Sequence, residues 1–517
     1  VLDLTQAKRI AIVGGGVAGW FAALVFRRLF GDETEVVVFA DEGGMPPVAQ
    51  DGGLLNMAAA LTRNGLDVEE FIRETGATSR LGVAFHNWRK NTQAEAGDVF
   101  YHLMPMPGEQ VAEIDHMAFG FAPLLAARVA AGADLHSFFP GFSLIRNKSS
   151  QREAQAVLAT KRSGLSQSWH FDCRRFARYL RGKALTRGVR EQAGRVDKLV
   201  VNEHGAVTAV AVNGAQAAVD FVVDASGLRR IGLGQTYKES WCSLHSFLPV
   251  DTMQPFSRIC QQGQLPLLTK ATALSSGWLW QVPLANADRG YMGGAYLFSS
   301  AHGNVHNMQA ELVQHLGAGV QLAQPLRFEA GHFKVAWRNN LVALGAAAGF
   351  VEPLEATAMG QMLESLRNIE RMISDGGGVV GHQAIFSFNR SSYKTWDTIS
   401  DFLRMHYEGG RQDTPFWQAV AQLPRSGRYQ EIRRAFARRL PRAVDLESYI
   451  GYGWGAMFHM VNWLSIGAAV GVVPQQAGVA DLKRLPRNML QEVGPYLKEL
   501  RKRMGQEMNV SGKQAGQ

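Results

Sequence analysis

A chain of 517 residues that is 46% hydrophobic is long enough for two or three substructures around sizeable cores. Its formal charge of +9 comes from Lys and Arg spread along the whole chain, with no concentrated basic stripe; that argues against a nucleic-acid groove and for anionic small molecules or solubility. Three cysteines, Cys173, Cys242 and Cys260, have neither metal-ligand spacing nor a disulfide framework, so no metal site and a reducing, cytoplasmic setting are expected. The chain opens without an apolar signal segment. Its longest small-apolar runs, Leu341 to Val351 and Ile466 to Val473, are too short to span a membrane.

Taken in order, Ile10 to Val13 is a β-forming run that enters Gly14-x-Gly16-x-x-Gly19, and Trp20 to Phe30 reads as the helix behind it. A dinucleotide pyrophosphate needs that order. Gly14 permits the turn, Gly16 leaves room for the phosphate and Gly19 lets helix and strand approach, with Val17 and Ala18 between them counted among the cofactor-binding residues. Thr34 to Phe39 is a second strand, after which Asp41 or Glu42 stands where a carboxylate would meet a ribose hydroxyl; spacing does not separate the two. Gly43 to Leu55 is a Gly/Pro-rich loop, Met57 to Thr75 a helix and Leu81 to Trp88 a strand. A Met/Pro-rich connection follows Tyr101-His102, then a helix over Phe121 to Ala131.

Ser168 to Arg187 carries apolar residues at helical spacing. Strands are expected at Val196 to Val201, Val207 to Val212 and Ala218 to Val223, the last two joined through Asn213-Gly214. The third ends in Asp224-Ala225-Ser226-Gly227, where Asp224 and Gly227 suit a sheet edge that meets a nucleotide. Cys242 to Ser300 reads as an antiparallel sheet. Leu341 to Gly349 is a second Gly/Ala-rich segment, with Gly345, Gly349 and Phe350 ahead of Val351-Glu352-Pro353-Leu354-Glu355-Ala356-Thr357. Gln361 to Ser374 and Thr398 to Glu408 are helical, and Arg487 to Met508 is a final helix interrupted at Pro495. A nucleotide-binding unit split among distant segments implies an α/β flavin domain more than a contiguous nicotinamide domain.

Several stretches carry a closer likeness. They are Gly14 to Trp20, Trp169-His170-Phe171-Asp172 with its following arginines, Asp224 to Gly227, Gly277-Trp278-Leu279-Trp280-Gln281-Val282-Pro283, Ala348 to Glu355, and His406-Tyr407 ahead of Thr414 to Trp417. On these the chain resembles the flavin-dependent tryptophan halogenase family from about residue 8 to about 475. The resemblance implies a Rossmann-like, GR2-type flavin monooxygenase fold. Residues 8–400 would form the FAD-binding core, with a substrate sheet at about 95–165 and 235–330; residues 401–509 would be a helical region closing the substrate site, and 510–517 a flexible tail.

It also implies a chemistry. Reduced FAD and O2 give a C4a-hydroperoxide, chloride or bromide becomes hypohalous acid, and an aromatic substrate, with an indole-bearing one favoured, is halogenated. A separate NAD(P)H-dependent flavin reductase would deliver the reduced flavin, no nucleic acid or membrane partner is expected, and a homodimer is left open. Trp278, Trp280 and Pro283 correspond to the wall between flavin and substrate. Glu355 corresponds to the carboxylate beside the reacting carbon. Thr357 and Ala358 fall on the halide segment, and His102, Met104, Trp454 and Phe458 on the substrate pocket.

Three departures stand out. Arg80 occupies the position of the family's lysine and, unlike it, stays charged rather than forming a haloamine. Ala356 replaces a hydroxyl residue. Ala49-Gln50-Asp51-Gly52-Gly53-Leu54-Leu55 replaces the flavin-covering Gly-x-Gly-Glu-Ala/Ser-Thr, with Gly52-Gly53 read as a mobile loop over the flavin. These departures keep two alternatives in view: a monooxygenase of the same fold on an aromatic substrate, and a flavin-binding protein without halogenating turnover.

Overall fold

The computed structural model describes residues 1–41, 50–90, 97–104, 123–139, 141–161, 163–260, 265–285, 290–450 and 457–491 except 489, with 494, 495 and 498. Glu42, Trp454 and the tail 510–517 lie outside the described residues, as do more than half of the loop 43–55 and most of the final helix expected over 487–508.

Arg9–Val13 is an inner strand of a six-stranded sheet. The order is Trp337–Arg338, Leu341–Ala343, Phe221–Asp224, Arg9–Val13, Glu35–Ala40 and Arg190–Ala193, parallel except at the first pair. Ile10, Ala11 and Ile12 are wholly buried, as expected for a parallel strand covered on both faces. Helices Val17–Leu29, Cys173–Thr186 and Thr357–Asp375 contribute to the core around this sheet. The nucleotide-binding unit is therefore assembled from segments more than 300 residues apart, as the order of motifs implied.

The strand expected over Ala218 to Val223 is two strands. Asn213 and Gly214, both at positive φ, turn Val207–Val212 into Ala215–Ala218, which completes a three-stranded meander with Val196–Val201. Phe221–Asp224 belongs to the parallel sheet. The break falls at Asp220, whose carboxylate accepts from the Lys8 and Arg9 N–H groups and ties the chain to the nucleotide strand.

A second sheet runs Gln321–Leu322, Thr252–Cys260, Gly290–Phe298, Gly277–Ala285, Thr269–Ala273, Gly82–His86 and Val99–Leu103. It is antiparallel except where Thr269–Ala273 lies parallel to Gly82–His86. Among the described residues of 95–165 only Val99–Leu103 belongs to this sheet; Pro123–Ala130, Phe142–Arg146 and Gln151–Ala159 are helices, so that part of the expected substrate sheet is corrected. Trp278 and Trp280 enter a separate core together with Trp88, Trp417 and Phe402.

Between the two large sheets lies a small one: Gln50–Gly52, Ser168–Asp172 and Thr78–Arg80. It corrects two expectations. Ser168 to Asp172 is the central strand, not the start of a helix. The helix begins at Cys173 because the Asp172 side chain accepts from the Arg174 and Arg175 N–H groups. The helix expected over Met57 to Thr75 is broken into Asn56–Arg63 and Val68–Thr75, because Gly65 takes a positive φ and Asp67 caps the second piece through the Glu70 N–H. On the far side, His382–His406 is a 25-residue helix, longer than the expected Thr398 to Glu408. Its first half was hidden by buried Ser391, Ser392 and Thr395, which break the apolar period. Among the described residues no helix is long and apolar enough to cross a membrane.

Candidate functional site

The nucleotide end is built by three glycines with two different jobs. A Cβ on Gly14 would meet the Ala225 carbonyl oxygen at 2.3 Å, and one on Gly19 the Gly14 carbonyl oxygen at 1.8 Å. Both are packing glycines. Gly16 takes an ordinary extended conformation, and a Cβ there meets nothing within 4 Å. It faces the open cradle at the N-terminus of Val17–Leu29, whose first turn, beginning Val17-Ala18, holds no acidic residue. An uncapped helix N-terminus above open space fits a pyrophosphate.

Around this cradle, Gly227 also faces open space, and a Cβ on Gly345 would touch Ala18 at 3.4 Å. Asp41 lies where its charge acts on Arg229. Three residues assigned to the cofactor also have structural work. Asp224 is fully buried with one oxygen on the Ser226 N–H and the other on the Gly232 N–H, so it shapes the loop. Gly349 makes room for the Trp396 indole, 2.5 Å from a Cβ placed there, and Phe350 packs edge-on against Phe328. Gly16→Val is expected to abolish FAD binding, read by fluorescence titration, while leaving Tm within about 2 °C of the parent because a Cβ at this position meets no protein atom within 4 Å. Unchanged affinity would make the glycine motif structural only.

The reacting end is centred on Glu355, 2% exposed, in the loop between Gly349–Phe350 and Thr357–Asp375. His102 Nδ1 lies 2.9 Å from one carboxylate oxygen, and His406 Nε2 lies 2.7 Å from the other. Asn462 Nδ2 donates to His102 Nε2 at 3.0 Å, which leaves Nδ1 as the N–H facing Glu355. His406 Nδ1 faces the Phe402 carbonyl at 2.9 Å. Each nitrogen of His406 thus faces an acceptor oxygen. Burial by itself would raise the Glu355 carboxyl, but His102 and His406 outweigh it and hold it down at about 2.

The sign of this shift gives a test. A depressed carboxyl stabilises the fold above its ordinary value of 4.5, and the contribution is lost as pH falls through about 2. Denaturant unfolding at pH 5, 4 and 3 should show stability dropping more steeply in the parent than in Glu355→Gln, by up to about 3 kcal/mol across the full window. Equal slopes would mean that the histidines do not hold the charge.

Next to Glu355 the chain is strained and open to an anion. Ala356 takes a left-handed conformation, φ 56° and ψ 30°, at a cost of about 1 kcal/mol. The buried Thr357 hydroxyl that follows has no partner among the described residues, and it sits with Ala358 at the uncapped start of a 19-residue helix. Those donors fit a halide.

Arg80 is 1% exposed at the end of Thr78–Arg80. Nε donates to the Thr269 hydroxyl at 3.1 Å and Nη1 to the Gly53 carbonyl at 2.8 Å. Burial lowers the guanidinium to about 10, opposed by the charges of Glu355 and Asp51, so it remains a cation at neutral pH. Burial lifts the Asp51 carboxyl to about 6, although the Gly52 N–H and the Arg80 charge pull it down. Gly52-Gly53 is no loose loop over a cofactor. Gly52 pairs with His170, a Cβ on it would meet Arg80 Cδ and Nε at 3.0 Å, and Gly53 accepts from Arg80. Two departures that looked separate in the sequence are one packing unit.

Trp278 and Trp280 are buried on Gly277–Ala285; Trp278 Nε1 donates to Tyr407 Oη, which donates to Glu352. The Pro283 carbonyl accepts from the Thr78 hydroxyl. Met104 is buried beside His102, and Phe458 stacks on Phe402 at 3.8 Å between ring centres. The structure thus brings Arg80, Glu355 and His102 into one electrostatically coupled cluster. Sequence reasoning missed His406 and Asn462 as partners of that cluster, and missed Asp51, Thr269 and His170 around Arg80. Of these, Asp51, His170 and His406 lay in stretches already singled out, but nothing in their spacing reported a contact.

Comparison with known proteins agrees with this architecture. The tryptophan halogenase family model matches residues 9–482. The uncharacterized protein y4xG of Sinorhizobium fredii is 41% identical over 503 residues, covering 97% of each chain. Tryptophan 7-halogenase RebH of Lentzea aerocolonigenes is 26% identical, covering 91% of this chain and 90% of its own. Among solved structures, BrvH, a flavin-dependent halogenase from Brevundimonas sp. BAL3, superposes with a TM-score of 0.80 at 23% identity, over 98% of this chain and 97% of its own. The fold and site define a flavin-dependent oxidoreductase of halogenase and monooxygenase type. The chain belongs to the tryptophan halogenase family.

Proposed function

We propose that this protein is an FADH2-dependent halogenase of an aromatic, indole-bearing substrate. The observation that carries the reading is the dry cluster in which a buried cation, Arg80, and a buried carboxylate, Glu355, are coupled. Bound reduced FAD would supply, with O2 and chloride or bromide, the hypohalous acid that such a site uses. Gly16, Val17, Ala18, Gly227 and Gly345 would hold the nucleotide, with Asp41 at the ribose. Thr357 and the backbone at Ala358 would hold the halide.

In this reading Arg80 donates hydrogen bonds to hypohalous acid as a permanent cation and polarises the O–halogen bond. Glu355 is a fixed negative charge beside the ring carbon as positive charge develops there. Each of its oxygens accepts one histidine contact and keeps a second lone pair that can take up the ring proton. His102, Met104 and Phe458 would position the ring, and Trp278, Trp280 and Pro283 would keep it from the flavin. A separate flavin reductase supplies the reduced cofactor.

The test is product mass with bromide, with chloride and with neither, under labelled oxygen, against a panel of indoles and phenols. A halogen mass shift supports the reading, whereas incorporation of labelled oxygen alone overturns it. The second reading, direct oxygenation, is favoured by one observation: Arg80 cannot form a haloamine.

A further inference from the structure

The partners of Arg80 continue past Thr269. His170 Nε2 lies 2.9 Å from the Thr269 hydroxyl, His170 Nδ1 lies 3.3 Å from the Thr78 hydroxyl, and Thr78 donates to the Pro283 carbonyl at 2.8 Å. All four side chains are buried. The direction of every bond is set from the two ends. Arginine can only donate, and a carbonyl can only accept. Thr78 has one hydroxyl proton, which goes to Pro283, so towards His170 it accepts and Nδ1 carries the N–H. Nε2 is then the acceptor, Thr269 donates to it, and the Thr269 lone pairs face Arg80 Nε. A protonated His170 would reverse the middle bond and leave the Thr269 proton without an acceptor among the described residues. Burial and the nearby Arg80 charge both keep the imidazole unprotonated. His170 sits on the central strand of the small sheet, opposite both Gly52 and Thr78, so its backbone is held from both sides.

We propose that His170 is a positioning residue: by orienting the Thr269 hydroxyl it locks the Arg80 guanidinium, with Nε on Thr269 and Nη1 on Gly53, and reserves Nη2 for the oxidant. Nη2 makes no hydrogen bond among the described residues. The same chain ties Arg80 to the strand of Trp278 and Trp280 through Pro283. This inference rests on the reading of Arg80 as the group that meets the oxidant. It accounts for an arginine here, because lysine places a methylene where arginine has Nε and cannot use Thr269 in the same way.

The experiment is a double-mutant cycle read as product per oxygen consumed, with reductase, FAD and bromide, scored on whichever product the parent forms, halogenated or oxygenated. Thr269→Val keeps the shape and removes the hydroxyl. It should lower the yield about tenfold, the equivalent of one hydrogen bond to a charged group. Placed on Arg80→Lys, the same change should cost less than about threefold, because the Nε bond is already gone. His170→Phe should match Thr269→Val, and His170→Gln, which keeps an acceptor near Nε2, should restore most of the yield. Should Thr269→Val fail to fold, the two His170 variants decide the question. Equal Thr269→Val penalties in both backgrounds, or a His170→Phe variant that matches the parent, would overturn the proposal. A parent that only oxygenates its substrate sinks the halogenase reading while the cycle still judges His170; a parent that forms neither product overturns both.

Discussion

Replacing Glu355 by glutamine should lower halogenated product per oxygen consumed by about 100-fold or more, with flavin oxidation continuing at the parent rate. The side chain keeps its shape, yet the amide removes the buried negative charge that His102 and His406 hold in place. A cationic ring intermediate then develops in a site that keeps the Arg80 charge but has lost the carboxylate coupled to it, and the barrier rises by the lost attraction, about 3 kcal/mol. The amide NH2 also faces a histidine donor, so one of the two contacts breaks or its tautomer changes. Measuring product by mass spectrometry against oxygen uptake, with a reductase supplying FADH2, separates loss of chemistry from loss of flavin turnover. Yield per oxygen near that of the parent would place Glu355 away from the reacting carbon.

Arg80→Ala is the second large effect. Truncation leaves the Gly53 carbonyl and the Thr269 hydroxyl without their donor and removes the cation that Asp51 and Glu355 share. Product per oxygen should fall about 10- to 100-fold as oxidant escapes unpolarised. Arg80→Lys keeps the charge and adds an amine route, so it should retain or raise halogenation despite the lost Nε bond. Labelled oxygen with bromide, chloride or neither, on all three forms, reads the outcome. Full halogenation surviving in Arg80→Ala would remove this residue from the chemistry. A direct oxygenase would acquire no halide requirement in any of them.

Much of this molecule was legible along the chain because the signals are local. Gly14 to Gly19 announces its turn through residues three apart, Asn213-Gly214 its hairpin through two, and Gly277 to Pro283 a strand whose paired indoles lie within one run. Arg80, Glu355 and His102 were likewise found by position within short motifs. What failed was local reading of segments decided from outside. Ser168 to Asp172 has helical spacing, yet it is a strand because Gln50–Gly52 and Thr78–Arg80 lie on either side of it. Gly349 reads as a flavin glycine, yet the Trp396 indole occupies the space of its Cβ.

The sequence by itself determined the nucleotide fold, the family resemblance and the identity of the unusual cation, because each rests on residues adjacent in the chain. Only the tertiary structure decided that Arg80, Gly52 and Gly53 form one unit, and that Glu355 is gripped by histidines 253 and 51 residues away in the chain. The physical reason is that charge states and hydrogen-bond directions depend on burial and on every neighbour at once, and no spacing along a chain encodes those neighbours.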